Sequence, residues 1–115
     1  MVVDSLSTTF MALSDPTRRA ILGRLAHGPA SVSELTAPFA MSQQAISKHL
    51  AYLERARLID KQRHGRRHLC ILNPAPFSDV TGWVDACRQF WAQNFERLDA
   101  VLKEIKQEES PRGKP

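Results

Sequence analysis

The feature that most constrains the fold of this chain is an amphipathic helix followed at once by a basic hairpin. The helix is predicted over residues 42–58, and the hairpin lies within residues 59–73 with its turn at His64-Gly65-Arg66. The apolar edge of the helix contains Ile46, Leu50 and Leu53, with Arg57 on the same side. This order is typical of a winged helix-turn-helix, in which one element enters the major groove of DNA and the other follows the backbone.

The other edge of the predicted helix carries side chains suited to reading bases. A wheel of about 100° per residue places opposite Ile46 the set Gln44, Ser47, Lys48, Ala51 and Arg55. Gln pairs with adenine edges, Lys with guanine, and Ser with either. Gln43 lies to the side, but at the N-terminal end that enters a groove first. Ser42 is expected to cap the helix, whose N-terminus favours phosphate.

Positive charge is concentrated in the middle of the chain. The chain of 115 residues has a net charge of +4. Residues 1–41 are neutral and residues 73–115 sum to −1, whereas residues 42–72 carry seven basic against two acidic side chains, or +5. Because phosphate contacts dominate affinity for nucleic acid, this excess predicts double-stranded DNA as a partner. Arg66 and Arg67, near the tip of the wing, are expected to contact it.

The remaining pattern predicts a mainly helical fold with about five helices and a two-stranded antiparallel wing. We expect one DNA-binding and dimerisation domain over residues 1–108 and a flexible tail over residues 109–115. No apolar run approaches the roughly 20 residues of a membrane span. The N-terminal residues also lack the pattern of a signal peptide, so a cytoplasmic location without membrane contact is expected.

The last helix, predicted from Phe77 or Ser78 to near Gln107, has more apolar surface than the short N-terminal helices can cover. A heptad row contains Val84, Trp91, Leu98 and Ile105. The stripe is widened by Trp83, Cys87, Phe90, Phe95, Val101 and Leu102. A pairing seam explains this surface, and we expect a homodimer. An aromatic-lined small-ligand pocket beside Trp83 and Trp91 is an alternative.

Several motifs resemble one bacterial family. Asp15-Pro16-Thr17-Arg18-Arg19-Ala20-Ile21-Leu22 resembles the Asp-Pro-Thr-Arg-x-x-Ile-Leu signature of ArsR-type (ArsR/SmtB) repressors. Further similar segments are Ser33-Glu34-Leu35, Ser42-Gln43, Ser47-Lys48-His49-Leu50, Leu53 and Leu58-Ile59. The similarity extends over about residues 6–105. It implies a winged-helix homodimer that represses transcription by covering an operator.

The resemblance also implies which residues act. The DNA-reading positions are Gln43, Gln44, Ser47 and Lys48, with Ser42 and His49 as further candidates. The wing contacts are Arg63, His64, Gly65, Arg66 and Arg67. The dimer contacts come from the first and last helices. The first helix contributes Leu6 and Phe10, and the last helix contributes the apolar stripe described above.

One departure from the family concerns metal. Metal-sensing members carry Cys-x-Cys just before the turn, at about residues 34–37 here, and this chain has no cysteine there. Another set of metal ligands uses Asp and His along the last helix, yet no His follows Gly82. Zinc and softer metals favour thiolate or imidazole ligands. We therefore expect no metal and no cofactor, as in a metal-independent branch, and leave a small-molecule effector open.

Other readings of the sequence remain open. Cys70 or Cys87 is a candidate for a thiol-based redox or metal sensor of the same fold, with His68 beside Cys70 on one strand face. A winged helix that binds only protein is another alternative. An enzyme is not expected, because the sequence has no Gly-rich phosphate loop, nucleophile elbow or paired catalytic carboxylates.

Overall fold

The computed structural model describes the backbone of residues 4–113 and the side chains of residues 4–108. This part of the chain contains five helices and one two-stranded antiparallel sheet, which confirms the predicted fold class. In chain order the elements are α1 (Ser5–Ala12), α2 (Pro16–Leu25), α3 (Val32–Thr36), α4 (Gln43–Arg55), β1 (Ile59–His64), β2 (Arg67–Leu72) and α5 (Ala75–Gly113).

Each of the first four helices begins at a polar side chain that accepts a hydrogen bond from a backbone N–H in the first turn. The capping residues are Asp4, Asp15, Ser31 and Ser42. Pro16 follows Asp15, at a position where its missing N–H removes no helical hydrogen bond. Ser31 and Glu34 form a reciprocal capping box, whereas Ser42 caps α4 through the Ala45 N–H at 3.1 Å. Local sequence therefore fixes where these helices begin.

The helix α4 ends at Arg55, short of the predicted end at residue 58. Arg57 adopts the left-handed conformation, with φ of 64°. The Arg57 N–H donates to the Glu54 carbonyl and the Leu58 N–H to the Leu53 carbonyl, both at 3.0 Å. These bonds form a Schellman ending, a motif that usually has glycine at the position of Arg57. Arg57 is therefore exposed in a turn, and its predicted place on the apolar edge of the helix was wrong.

The hairpin is paired along the full length of both strands and closes through a two-residue turn, Gly65 and Arg66. Gly65 has φ of 63°, the left-handed conformation that tight hairpin turns favour at this position. At the other end of β2, Cys70 exchanges backbone hydrogen bonds with Ala30, at 2.8 Å and 3.2 Å. The base of the hairpin is thereby attached to the segment that precedes α3.

The core joins the end of α1, the helices α2, α3 and α4, and the base of the hairpin. The predicted apolar edge of α4, formed by Ile46, Leu50 and Leu53, is fully buried. The same cluster includes Ile21, Leu22, Leu25, Leu35, Leu58, Ile59 and Cys70. Since burying a large aliphatic side chain contributes about 1.5–3 kcal/mol, this edge fixes the rotation of α4. The polar edge of the helix is consequently left at the surface.

The chain divides into two compact units, Met1–Val80 and Thr81–Pro115. The first contains α1 to α4, the hairpin and the start of α5, and the second contains the rest of α5. α5 begins at Ala75, before its predicted start at Phe77 or Ser78, and Pro76 is tolerated there because it lies in the first turn. Its backbone is helical to Gly113, past the predicted end near Gln107. The side chains of the expected tail lie outside the described residues, so the boundary at residue 108 stays a prediction.

Candidate nucleic-acid interface

The polar edge of α4 is exposed at its N-terminal end. Gln43, Gln44, Ser47 and Lys48 all have exposed side chains. Residues three and four apart share one face of a helix, so these four residues form a continuous surface, which we call the polar strip. It presents two amides, a hydroxyl and an ammonium group, all of which form hydrogen bonds with base edges.

The start of α4 is also open to an anion. Ser42 is exposed, and the first turn contains no acidic residue. The first N–H groups of a helix lack intrahelical acceptors and carry a partial positive charge. Groups whose chemistry suits base edges therefore lie beside a helix terminus whose chemistry suits phosphate.

His49 is placed differently from the polar strip. Its side chain is half-buried, and its Nδ1 lies 3.8 Å from Oδ2 of Asp15, the residue that caps α2. A hydrogen bond from the Arg18 N–H, together with the charges of His49 and Arg18, holds the pKa of Asp15 below its usual value. The His49 ring thus faces α2, and the structure does not bring it together with Gln44 and Lys48.

The tip of the hairpin, by contrast, carries exposed cations. Arg63 donates from Nε to the Gly65 carbonyl at 3.0 Å, which folds its side chain over the turn. His64 Nε2 lies 3.3 Å from Gln62 Oε1. Arg66 is exposed, and no ion pair within the described residues involves it. The tip therefore presents Arg63 and Arg66 to solvent.

Arg67 lies at the same end of the hairpin but has an acidic partner. Its Nη2 forms an ion pair with Oε1 of Glu34 in α3, and Arg24 Nη2 lies 3.8 Å from the other oxygen. Hydrogen bonds from Ser31, with the charges of Arg67 and Arg24, hold the pKa of Glu34 below its usual value. The sequence analysis missed this role of Glu34, although the Ser-x-x-Glu spacing of the capping box was visible.

Arg18 of the Asp-Pro-Thr-Arg motif contributes to the packing of the helices. Its Nε and Nη2 donate to the carbonyls of Ala12 and Met11 at the end of α1, at 2.8 Å and 3.1 Å. Its guanidinium lies 4.1 Å from the centroid of the Tyr52 ring, and Arg55 lies 5.8 Å from the same ring. The motif arginine therefore ties α1 and α2 to the middle of α4.

The two cysteines are unequal. Cys70 is buried in the core, and burial raises the pKa of its thiol. Cys87 is half-buried on α5. Among the described residues no three His, Cys, Asp or Glu side chains are grouped as a metal site would require. A raised pKa disfavours the reactive thiolate, so Cys70 is a poor candidate for redox sensing.

The residues predicted for a dimer are found on α1 and α5. Leu6 is half-buried and Phe10 is exposed in α1. In α5, Val84 and Cys87 are half-buried. The large exposed apolar residues of α5 are Trp83, Phe90, Trp91, Phe95, Leu98, Val101, Leu102 and Ile105. No helix in the described part of the chain combines the length and apolar content of a membrane span.

A short helix, a turn, a second helix with an exposed polar edge and a cationic hairpin define a winged helix-turn-helix, a class of DNA-binding regulator. A helix-turn-helix domain family matches residues 13–62. HTH-type transcriptional regulator Rv2034 of Mycobacterium tuberculosis is 39% identical over 84 residues, which cover 73% of this chain and 76% of that protein. Transcriptional repressor SdpR of Bacillus subtilis is 34% identical over 79 residues, which cover 69% of this chain and 88% of that protein.

A solved structure extends the comparison. The crystal structure of the ArsR family transcriptional regulator RHA00566 matches with a TM-score of 0.70 and 42% identity, covering 77% of this chain and 98% of that one. The chain belongs to the ArsR family of transcriptional regulators. It is a DNA-binding regulator, and the resemblance inferred from its motifs is confirmed. The relatives Rv2034 and SdpR are both named as regulators of transcription.

Proposed function

We propose that this ArsR-family chain is a homodimeric repressor that reads an operator with the polar strip of α4 and holds the DNA backbone with its wing. The observation that carries the proposal is the pairing of an exposed polar edge with a fully buried apolar edge on α4. The buried edge fixes the rotation of the helix. The four side chains of the strip are thereby presented in one direction, as sequence-specific binding needs.

Each part of the surface has a separate role in the proposal. Lys48 and Gln44 contact base edges, where each well-formed pair is worth about 1–3 kcal/mol of discrimination against a wrong base. Ser42 and the N–H groups at the start of α4 bind a phosphate. Arg63 and Arg66 bind backbone phosphates beside the groove, which gives affinity without sequence preference.

The proposed dimer rests on the uncovered apolar surface of α5. Eight large aromatic and aliphatic side chains from Trp83 to Ile105 are each more than a third exposed in a single chain. Val84, within the same range, is half-buried. Monomeric proteins seldom expose a continuous apolar surface of this kind. In a two-fold dimer the same stripe from each copy covers the other, with Leu6 and Phe10 of α1 as further contacts. A two-fold operator offers one half-site to each copy of α4, and such half-sites are commonly about 10 base pairs apart.

Repression without a metal signal is proposed from the residues that occupy α3. Leu35 is fully buried there, and Glu34 is held by Ser31, Arg24 and Arg67. These positions therefore have packing and electrostatic roles and provide no thiolate. SdpR is described as a repressor, which favours repression over activation for this chain. We expect excess zinc to leave DNA affinity unchanged, and release of DNA by stoichiometric zinc would contradict this part.

The test of the proposal is selection of DNA by the purified chain from a library of random duplexes, followed by gel shifts of the selected sequence. We expect a selected site with two-fold symmetry and an affinity that falls steeply between about 50 and 200 mM salt, because several phosphate contacts release counterions. A control duplex of the same composition in scrambled order should bind far more weakly. Recovery of no common sequence, or binding insensitive to salt, would contradict the proposal and favour a protein-binding module.

A further inference from the structure

Glu34 lies at the centre of a charged cluster that joins α2, α3 and the hairpin. Its Oε1 is paired with Arg67 and also accepts from the Ser31 hydroxyl at 3.0 Å. Its Oε2 lies 3.8 Å from Arg24 Nη2. The capping box holds the Glu34 side chain against its own helix, so the carboxylate is positioned on α3 before the hairpin contributes Arg67.

The charge of Arg67 is therefore balanced within the chain, unlike that of its neighbours. None of the ion pairs among the described residues includes Lys61, Arg63 or Arg66. If Arg67 moved to a phosphate it would leave Glu34 beside the DNA with only the more distant Arg24 as a partner. Arg67 would therefore gain little binding free energy by exchanging the Glu34 carboxylate for a phosphate. Arg66 has no acidic partner to give up.

The pair also holds one end of β2. At the other end, the Cys70 N–H donates to the Ala30 carbonyl at 2.8 Å, and Ala30 returns a bond at 3.2 Å. β2 is thus attached near both ends to residues 30–34, by backbone bonds at Cys70 and by a side-chain pair at Arg67. α3 leads through a turn into α4. Because β2 is bonded to the start of α3, the orientation of the hairpin is fixed relative to α4.

We propose that Arg67 is a positioning residue, which Glu34 holds away from phosphate and which sets the angle of the wing, while Arg66 makes the phosphate contact. This inference rests on the proposed function, because it assumes that the wing lies along DNA. It separates two adjacent arginines that the sequence analysis treated alike. It also gives Glu34 a role at the interface without any contact with DNA.

Salt dependence of DNA binding separates the two roles. The probe is a mixed-sequence duplex of about 30 base pairs, roughly three helical turns, and binding is followed by fluorescence anisotropy. We expect Arg66→Ala to reduce the slope of log affinity against log salt by about 0.9, the value for one lost phosphate contact. Arg67→Ala is expected to weaken binding with the slope unchanged, and Arg67→Lys to recover part of the loss. A slope reduced equally by Arg66→Ala and Arg67→Ala would overturn the proposal.

Replacement of the ion-pair partner of Arg67, in Glu34→Gln, should change the salt dependence in the opposite direction to Arg66→Ala. With its carboxylate removed, Arg67 is free to reach phosphate, and the slope is expected to increase by about 0.9. The double variant Glu34→Gln with Arg67→Ala should lose that increase. An increase that persists in the double variant would show that Glu34 acts by general repulsion of DNA and would contradict the pairing.

A measurement without DNA distinguishes failure of this inference from failure of the proposed function. The ¹⁵N relaxation of the Arg67 Nε–H group in the free protein is expected to show an ordered side chain, which becomes mobile in Glu34→Gln. Arg66 serves as the internal control and should be mobile in both. An ordered Arg67 in a chain that binds no DNA would sink the proposed function alone, whereas an Arg67 as mobile as Arg66 would overturn the positioning role.

Discussion

The apolar edges of α4 and α5 have the same helical periodicity but opposite environments. In α4, Ile46, Leu50 and Leu53 are fully buried by the rest of the first unit. In α5, Trp91 is 48% exposed and Leu98 is 53% exposed. An apolar stripe on a helix therefore indicates only that the helix needs a partner. α4 finds that partner within the chain, and we infer that α5 finds it in a second copy.

The largest expected effect is at the buried edge. Leu50→Ala removes a fully buried side chain from the core and is expected to cost about 2–5 kcal/mol of unfolding free energy. Urea denaturation followed by circular dichroism measures this change. Ser47→Ala, on the exposed edge of the same helix, is the matched control and should change stability by less than about 0.5 kcal/mol. Similar losses for both variants would mean that the two edges of α4 are not distinct.

A charge on the exposed stripe of α5 should separate the copies. Leu98→Glu is expected to weaken the dimer by at least tenfold, about 1.4 kcal/mol, because a carboxylate would be buried without a partner. Sedimentation velocity measures the effect. Both tryptophans, Trp83 and Trp91, belong to the same stripe, so their emission should shift to the red as the dimer dissociates.

The control for this prediction adds the same charge elsewhere on α5. Gln93 is exposed and lies on the helix face opposite Trp91, so Gln93→Glu should leave the dimer intact. A wild-type chain that sediments as a monomer at micromolar concentration would contradict the inference that α5 pairs with a second copy.

Acid should act first on the unit that contains α1 to α4. Hydrogen bonds from Arg18 and Ser31 hold the pKa values of Asp15 and Glu34 below their usual range in the folded chain. A lowered folded-state pKa gives stability that is present above the unfolded value, about 4 for these groups, and is lost as the pH falls through the folded value. Thermal melts between neutral pH and pH 3 should show this loss. Asp15→Asn should flatten the decline below pH 4, and an unchanged acid profile would contradict the role given to this cap.

The smallest expected effect is at the end of α4. Arg57→Gly removes the side chain from a left-handed position and is expected to stabilise the fold by about 0.5–1 kcal/mol. Arg55→Gly, within the last turn of the helix, is the control and should destabilise by about 1 kcal/mol. The denaturant midpoint of each variant measures its change in stability, provided that the unfolding free energy depends on denaturant concentration as steeply as in the wild type. A destabilised Arg57→Gly would show that its side chain contributes more than its conformation costs.

The features that the sequence predicted well depend on near neighbours along the chain. The helix start at Ser42, the buried spacing of Ile46 and Leu50, and the hairpin turn at Gly65 each involve residues within four positions of one another. Periodicity and capping chemistry encode such features directly.

The features that could not be predicted from the sequence depend on contacts between distant residues or on a residue type that is unusual for its conformation. The pairing of Glu34 with Arg67 joins side chains 33 positions apart, and no pattern along the chain indicates it. The approach of the His49 ring to Asp15, the residue that caps α2, is a second contact between distant parts of the chain. The early end of α4 was missed because its left-handed residue is Arg57, where a glycine would have signalled the stop.

The proposal that the polar strip of α4 reads sequence is tested by the ratio of two affinities, one for the selected operator and one for mixed-sequence DNA. We predict that Gln44→Ala and Lys48→Ala each lower this ratio by a factor that corresponds to about 1–3 kcal/mol of binding free energy, because base-edge contacts carry the discrimination. Arg66→Ala should weaken binding to both duplexes equally and leave the ratio unchanged. Equal losses on both duplexes for Gln44→Ala and Lys48→Ala would contradict the claim.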